Sequence, residues 1–264
     1  MSDVFLKEQK YGKDKVRLVK VIRTGKWHEI VELTVRVLLE GDFAASYTKA
    51  DNSLIVATDT MKNTVYILAK QSPNVNHIEV FATEIGQHFI STYSHVSKVN
   101  VWISKHKWTR MLVNGKLHDH SFLRDGEETR NTKVVITKKS GPKEVIVEIE
   151  SGLKDLLVLK TTGSAFYGFL RDKYTTLQET NDHTFATDNS SSVQATLYLM
   201  AKIALEKFQQ ISSIHYELPN KHYFTYDLDR FGLKNTGKNS DIYYPVADPS
   251  GLITATIART KPKL

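Results

Sequence analysis

The sequence contains no cysteine among its 264 residues. Disulfide bonds, thiolate metal sites, iron–sulfur clusters and thiol nucleophiles are therefore excluded, and with them many classes of enzyme. Proline is also scarce, at six residues, while hydrophobic residues make up 41% and charged residues 25% of the chain. This is the composition of an ordinary globular protein, long enough for one large domain or two of ordinary size.

Long apolar runs are absent as well. No stretch approaches the roughly 18 apolar residues that a membrane span needs, and the N-terminus lacks the basic and apolar segments of a secretory signal. We therefore expect an intracellular protein without a membrane partner. The net charge of +7 is compatible with nucleic-acid binding, but the basic residues are thinly spread and no nucleic-acid-binding motif accompanies them. Attraction of a small anion explains this charge equally well, so no nucleic-acid partner is expected.

Periodic patterns organise the first half of the chain. Residues 31–39 alternate apolar and polar side chains, which is typical of a half-buried strand. A turn at Gly25 joins this strand to a preceding one in a hairpin. Two amphipathic helices follow, the first with Asp59 as its N-cap and the second with apolar spacing over 78–89. Strands on either side of the turn Asn114-Gly115 complete a ββααββ pattern.

The second half repeats this pattern with one helix missing. Its predicted strands cover residues 134–136, 145–149, 157–159, 214–218, 223–228 and 253–257. One helix is predicted over 193–208, behind capping candidates Asp188 to Ser191. We therefore predict an α+β fold of two tandem repeats, residues 1–130 and 131–264, the second lacking one helix between about 181 and 185. Open antiparallel sheets have edges that must be paired, so self-assembly into a barrel is expected.

Nine short segments carry a stronger signal than composition does. They are Tyr11–Asp14, Leu39–Gly41, Ser46–Ser53, Val56–Asp59, Trp108–Met111, His118–Phe122, Phe166–Asp172, Ser192–Thr196 and Leu218–Tyr223. In this order they resemble the urate oxidase (uricase) family, and the resemblance runs from Tyr11 to the C-terminus with a single large gap. Chance does not account for so many family-like segments in family order.

The resemblance implies the tunnelling fold, with helices on one face of each antiparallel sheet, and a homotetramer with active sites at subunit interfaces. It also implies oxidation of urate by O2 and water to 5-hydroxyisourate and hydrogen peroxide, with no metal or organic cofactor. By position, Lys13 matches the relay lysine, Thr58 its hydrogen-bonded partner from the neighbouring subunit, and His222 the third relay member. A relay is needed because the purine must lose a proton before it can give an electron to O2. Without the resemblance, Lys13 would be interpreted as a solvated strand lysine.

Further matches concern urate binding. Phe166 matches the residue that stacks on the flat purine, and Val193 and Gln194 match residues that read its polar edge. Asn220 matches the residue that holds O2 or the attacking water above the ring. Asp59 would contribute its backbone N–H at a helix start, where unpaired N–H groups favour an anion.

Two of these residues also have plain interpretations: Phe166 alone would be a core residue and Asn220 a turn residue. His118 and His120, with Asp119 and His106 nearby, suggest a metal site, but no third ligand is fixed by spacing. We therefore predict no metal site.

The sequence departs from the family pattern after Leu177. His183 stands where the family has an arginine that forks onto the urate anion, and the strand material and helix that should follow are absent. Histidine does not reproduce bidentate guanidinium recognition, so urate binding should weaken by on the order of several kcal/mol unless another group substitutes. Arg171 is the candidate substitute, although it matches another family position.

Three interpretations therefore stay open. The first is an active urate oxidase, either with the gap tolerated or with the sequence an incomplete record of a longer chain. The second is a catalytically impaired purine-binding or assembly module of the same fold, and the third is a related purine or pterin enzyme. Intact Lys13, Thr58 and His222 favour the first interpretation, whereas the missing arginine favours the second.

The C-terminal residues Pro262-Lys263-Leu264 resemble the Ser-Lys-Leu peroxisomal address. They predict the peroxisomal import receptor as a partner and the peroxisome as the location, with the cytoplasm as the alternative.

Overall fold

A computed structural model describes residues 4–139, 144–159, 165–166, 168–176, 180–181, 192–236 and 240–260. The strands are β1 (Tyr11–Thr24), β2 (Trp27–Gly41), β3 (Val96–Val113), β4 (Lys116–Lys138), β5 (Val145–Lys154), β6 (Ala165–Phe166), β7 (Thr180–Asn181), β8 (Ser213–Thr225) and β9 (Tyr243–Ala258). The helices are α1 (Ala44–Thr48), α2 (Thr58–Gln71), α3 (Ile78–Thr92) and α4 (Val193–Lys207), with a 3₁₀ turn at Asp229–Phe231. The chain divides into two compact units, residues 1–157 and 158–264.

In the first unit, five antiparallel strands form one sheet in the order β1-β2-β3-β4-β5. The alternation predicted over 31–39 is confirmed, because every second residue of this stretch is buried against α2 and α3. The core also takes large side chains from the helices and from the loop after β2, among them Phe43, Met61, Phe81 and Phe89. The predicted ββααββ order of the first half is therefore confirmed, with the short α1 added.

The turn predicted at Asn114-Gly115 is confirmed between β3 and β4, and both residues have positive φ, at 52° and 74°. Beyond this turn β4 is longer than expected, since residues 129–137 pair with β3 on one side and β5 on the other. The strand predicted at 134–136 as the start of the second repeat is thus the end of β4. The boundary between repeats after residue 130 lies within this strand and stays a prediction.

In the second unit, α4 packs against the antiparallel pair β8–β9, and β6 pairs with β7. Among its described residues the buried apolar side chains are Leu197, Ala201 and Leu205, all from α4. The strand predicted at 157–159 is wrong: these residues have no regular structure, and Leu157 is 70% exposed. The strand predicted over 223–228 ends at Thr225.

The described part of the second unit contains one α-helix, α4, as the sequence predicted. The place of the missing helix, between about 181 and 185, lies outside the described residues apart from the end of β7. Across the described ranges, no helix is long and apolar enough to span a membrane.

Candidate functional site

Lys13 lies near the start of β1, on the face of the sheet that carries the helices. It pairs with Val37, a fully buried core residue of β2, and directly opposed residues of an antiparallel pair project to the same face. Its side chain is half-buried. The register shifts between Lys13 and Val16, and Lys15 has φ of 55°, so a β-bulge follows Lys13 directly.

The N-terminus of α2 is tied to β1 by tyrosine hydroxyl groups. The Tyr11 hydroxyl accepts a hydrogen bond from the Val56 N–H at 2.8 Å and donates one to the Val56 carbonyl oxygen at 3.2 Å. Farther along α2, the Tyr66 hydroxyl donates a hydrogen bond to the carbonyl oxygen of Arg17 at 3.0 Å. Because α2 runs alongside β1, its first residue Thr58 lies toward the end of the strand that carries Lys13.

The N-cap of α2 is Ala57, so the prediction of Asp59 as N-cap is wrong. Asp59 instead lies in the first turn, where its carboxylate accepts hydrogen bonds from Lys62 Nζ at 2.6 Å and Asn63 Nδ2 at 2.9 Å. No side chain in the described part of the chain caps this helix. Its first N–H groups therefore point out of the helix without an intrahelical partner, which favours an anion there.

The first turn of α2 carries a carboxyl group whose pKa is lowered by positive charges around it. The hydrogen bond and charge of Lys62 are the main reasons that the pKa of the Asp59 carboxyl is below its usual range, and the charge of Lys13 contributes to the same shift. Thr58 and Asp59 are both exposed. Lys13, Thr58 and Asp59 thus all belong to the first unit, on β1 and at the start of α2, two elements that the Tyr11–Val56 hydrogen bonds join.

Val193 and Gln194 form the first turn of α4. The N-cap is Ser192, whose hydroxyl oxygen accepts a hydrogen bond from the Ala195 N–H at 3.1 Å. The sequence had favoured the preceding residues 188–191, which lie outside the described residues. Val193 and Gln194 are exposed, and Gln194 lines a cavity of about 490 Å³ between α4 and β9.

Asn220 and His222 lie on β8, two residues apart, so both side chains project to the same face. They pair with Gly251 and Val246 of β9, with a register shift between the two pairs. Asn220 is exposed and His222 is half-buried, with its ring centroid 6.0 Å from that of Phe224. Since the half-buried residues earlier in β8 occur at the same alternate positions, this face continues the one against which α4 packs.

Phe166 belongs to β6, where its backbone pairs with Thr180. Arg171 is exposed, with its guanidinium carbon 5.2 Å from the ring centroid of Phe169. His183 lies outside the described residues. The predicted site residues therefore fall into two groups: one group in the first unit, around Lys13, and one in the second unit, on β6, α4 and β8.

The segments Trp108–Met111 and His118–Phe122 are joined by Arg110, a role that sequence reasoning missed. The Arg110 guanidinium lies between the rings of Trp27 and Phe122, at 3.5 and 4.7 Å from their centroids. It donates hydrogen bonds of 2.7 Å to the carbonyl oxygens of His118 and Asp119. The signal available in the sequence was an arginine close to several aromatic residues in two hairpins. These contacts give both segments a structural role.

Three histidines lie near Arg110: His28, His118 and His120. The rings of His118 and His120 are 4.7 Å apart, and His28 lies 5.7 Å from His120. Nevertheless, within the described ranges no group of three or more His, Asp or Glu side chains is arranged to hold a metal ion.

Comparison with known proteins gives one consistent result. The uricase family model matches residues 9–135 and 149–254. The uricase of Aspergillus flavus is 45% identical over 302 aligned positions, which cover 98% of each chain, and that of Emericella nidulans is 43% identical over 97% of this chain and 98% of the relative. The solved structure of the uricase from Arthrobacter globiformis is 36% identical, with a TM-score of 0.81, and the match covers 100% of this chain and 98% of that one.

These matches confirm the α+β tunnelling fold expected from the sequence. The 302 aligned positions also exceed the 264 residues of the chain by 38, so at least 38 positions of the Aspergillus flavus relative have no counterpart here.

Proposed function

The chain belongs to the uricase family, and on that premise we propose that it is a urate oxidase. Urate, O2 and water are converted to 5-hydroxyisourate and hydrogen peroxide. The purine gives up two electrons, which reduce O2 to peroxide, and the oxygen atom of water is added to the purine. The reaction is proposed to use no metal or organic cofactor, so proton transfer and orientation fall to the side chains.

The observation that carries the proposal is the attachment of β1, which carries Lys13, to the segment that leads into α2 and Thr58. The Lys13 side chain is half-buried and that of Thr58 is exposed, and the Tyr11–Val56 hydrogen bonds join the two elements that carry them. The unpaired N–H groups of the same helix end, that of Asp59 among them, favour the urate anion. We propose that Lys13 and Thr58 start the proton relay.

His222 is proposed to complete this relay. An imidazole ring has one nitrogen that can donate a proton and one that can accept it, and His222 shares a face of β8 with Asn220. The Asn220 amide is proposed to hold O2 or the attacking water above the purine, since an amide N–H stabilises developing negative charge on oxygen.

Recognition of the purine is assigned to the second unit. Phe166 is proposed to stack on the purine ring. Gln194, with Val193 beside it, is proposed to read the polar edge, because its amide offers a donor and an acceptor in one plane. Both residues are exposed in the first turn of α4, where the helix N-terminus again favours an anion.

A homotetramer with active sites at subunit interfaces is proposed because membership of the uricase family implies it. Further support comes from β5, which is exposed at every residue although it carries apolar side chains such as Val145, Val147 and Ile149. It pairs only with β4 in the described sheet. Such an edge needs a partner strand, and closure of several sheets into a barrel supplies one.

The peroxisome is the proposed location, reached through the import receptor. The residues that suggest it, Pro262-Lys263-Leu264, lie outside the described residues. A compartment that handles peroxide suits a reaction that releases it. Fluorescence of a tagged chain with and without these three residues would test the proposal, since only the intact tail should direct it to peroxisomes.

The decisive experiment follows urate absorbance, O2 consumption and peroxide release by the purified 264-residue chain. Lys13→Met should abolish turnover. Lys10→Met is the matched control, because Lys10 is exposed and its ammonium group has no hydrogen bond or ion pair within the described residues. Equal turnover by both variants would refute the relay.

Absence of turnover in a folded chain would instead support the catalytically impaired module. The relatives from Aspergillus flavus, Emericella nidulans and Schizosaccharomyces pombe are uricases, and they do not favour that alternative.

A further inference from the structure

The sulfur atoms of this chain belong only to methionine, since it contains four methionines and no cysteine. Met61 lies in α2 with 0% of its surface exposed, whereas Met111 in β3 is 39% exposed and Met200 in α4 is 47% exposed. Met1 lies outside the described residues. Two methionine residues are thus exposed to solvent, and one is buried in the core of the same molecule.

Met200 lies on the outer side of α4. The helix buries Leu197, Ala201 and Leu205, while the neighbours Leu199 and Ile203 are 37% and 55% exposed. An oxidant dissolved in water therefore reaches the Met200 residue without any opening of the helix.

We propose that Met111 and Met200 are modified by the peroxide that this chain releases, while Met61 is spared. The inference rests on the proposed function, because urate oxidation supplies the oxidant. In the reaction the O–O bond of hydrogen peroxide breaks, one oxygen atom bonds to the thioether sulfur, and the other leaves as water. Sulfur loses two electrons to form methionine sulfoxide and peroxide is reduced, so no further reactant is needed.

Exposure to solvent, and not distance from the active site, determines which methionines are oxidised. Hydrogen peroxide is small and uncharged, so it diffuses into the solution long before it reacts with a thioether. Peroxide from turnover and added peroxide therefore produce the same pattern of sulfoxides. At Met200 the product places a polar group on the same exposed side of α4 as Leu199 and Ile203.

The test compares three samples of the full chain by peptide mass spectrometry: one turning over urate, one given the same amount of hydrogen peroxide, and one turning over urate with catalase present. In the first two, the Met111 and Met200 peptides should carry on the order of tenfold more sulfoxide than the Met61 peptide. Catalase should abolish the difference. The variants Met111→Leu and Met200→Leu should each lose the signal at their own position only.

Equal oxidation of Met61, or protection of Met111 and Met200 from added peroxide, would overturn the inference. Protection would mean that the assembled protein covers these side chains. If urate released no peroxide while added peroxide still marked Met111 and Met200, the proposed function would fail and the two sites would stand.

Discussion

The hydroxyl group of Tyr11 forms hydrogen bonds with both backbone groups of Val56, accepting from the N–H at 2.8 Å and donating to the carbonyl oxygen at 3.2 Å. Lys13 lies two residues after Tyr11, and Thr58 lies two residues after Val56. This contact therefore fixes the strand that carries one proposed relay residue against the helix that carries the other.

Tyr11→Phe should weaken both stability and turnover. Val56 is 5% exposed, so loss of the hydroxyl leaves a buried N–H without its partner, which costs about 1–3 kcal/mol. Urea unfolding would measure that cost, and kcat should fall because Thr58 is less firmly held. Tyr47→Phe is the control, since Tyr47 is exposed and its hydroxyl donates a longer hydrogen bond, of 3.4 Å, to the carbonyl oxygen of Lys10. Equal effects of the two substitutions would contradict the role given to Tyr11.

Gly12→Ala should disturb the same region through the backbone. A Cβ atom on Gly12 would lie 1.9 Å from the carbonyl oxygen of Val37, the residue paired with Lys13. The strands must separate, at a cost of about 1–3 kcal/mol, and turnover should fall with the displacement of Lys13. Gly152→Ala is the matched strand control, because its Cβ would meet nothing within 4 Å. Unchanged kcat and thermal stability in Gly12→Ala would refute the close approach.

Glu32 should make the stability of the first unit sensitive to acid. Burial raises the pKa of its carboxyl, but hydrogen bonds from Trp108 and Arg124, at 2.8 and 2.6 Å, outweigh burial and hold the pKa below its ordinary value of 4.5. A depressed pKa stabilises the folded state above that ordinary value, and the stabilisation is lost as pH falls through the pKa of the folded state.

Glu32→Gln should therefore cost about 1–3 kcal/mol at neutral pH, as expected for hydrogen bonds to a charged group. The difference from the unchanged chain should narrow below pH 4.5. Urea unfolding at several pH values measures it. Asp14→Asn removes an exposed ion pair with Arg36 and should cost less than about 1 kcal/mol. A pH-independent difference for Glu32→Gln would contradict this assignment.

Local signals in the sequence predicted much of the fold. The alternation over 31–39 and the positive-φ turn at Asn114-Gly115 depend on neighbouring residues only, and both are confirmed. The pairing of residues 129–137 with strands on both sides depends on distant parts of the chain, so the continuity of β4 could not be read from its sequence. The prediction of a strand at 157–159 was wrong because a run of apolar residues indicates a tendency to be buried, but it does not show that another strand is available to pair with it.

The site was predictable as a set of residue types and less so as an arrangement. The family-like segments pointed to Lys13, Thr58 and Asn220, whose roles stay predictions. The prediction of Asp59 as the N-cap of α2 was wrong because aspartate is common both at the N-cap and in the first turn of a helix. Only the backbone conformation distinguishes these two positions. Arg110 and the hydroxyl of Tyr11 act through contacts between residues far apart in sequence, which no local pattern records.

Ser192→Ala should weaken the start of α4. Its hydroxyl oxygen caps the Ala195 N–H, and loss of such a cap costs about 1 kcal/mol. Since Val193 and Gln194 follow directly, KM for urate should rise more than kcat falls. Ser192→Thr keeps a capping hydroxyl group and should restore most of the loss. An unchanged KM in Ser192→Ala would separate the helix start from urate binding.

His183→Arg should strengthen urate binding. The sequence places His183 where a guanidinium is expected to fork onto the urate anion, and imidazole cannot make two parallel hydrogen bonds to it. Restoring the guanidinium should lower KM by at least roughly tenfold, which corresponds to about 1.4 kcal/mol. His183→Lys restores the charge without the fork geometry and should lower KM less, because an ammonium group is a point charge.

If Lys and Arg lowered KM equally, the positive charge alone, and not the fork geometry, would account for the weaker binding of urate. If neither lowered it, another group already holds the anion, and loss of binding in Arg171→Gln would identify that group as Arg171.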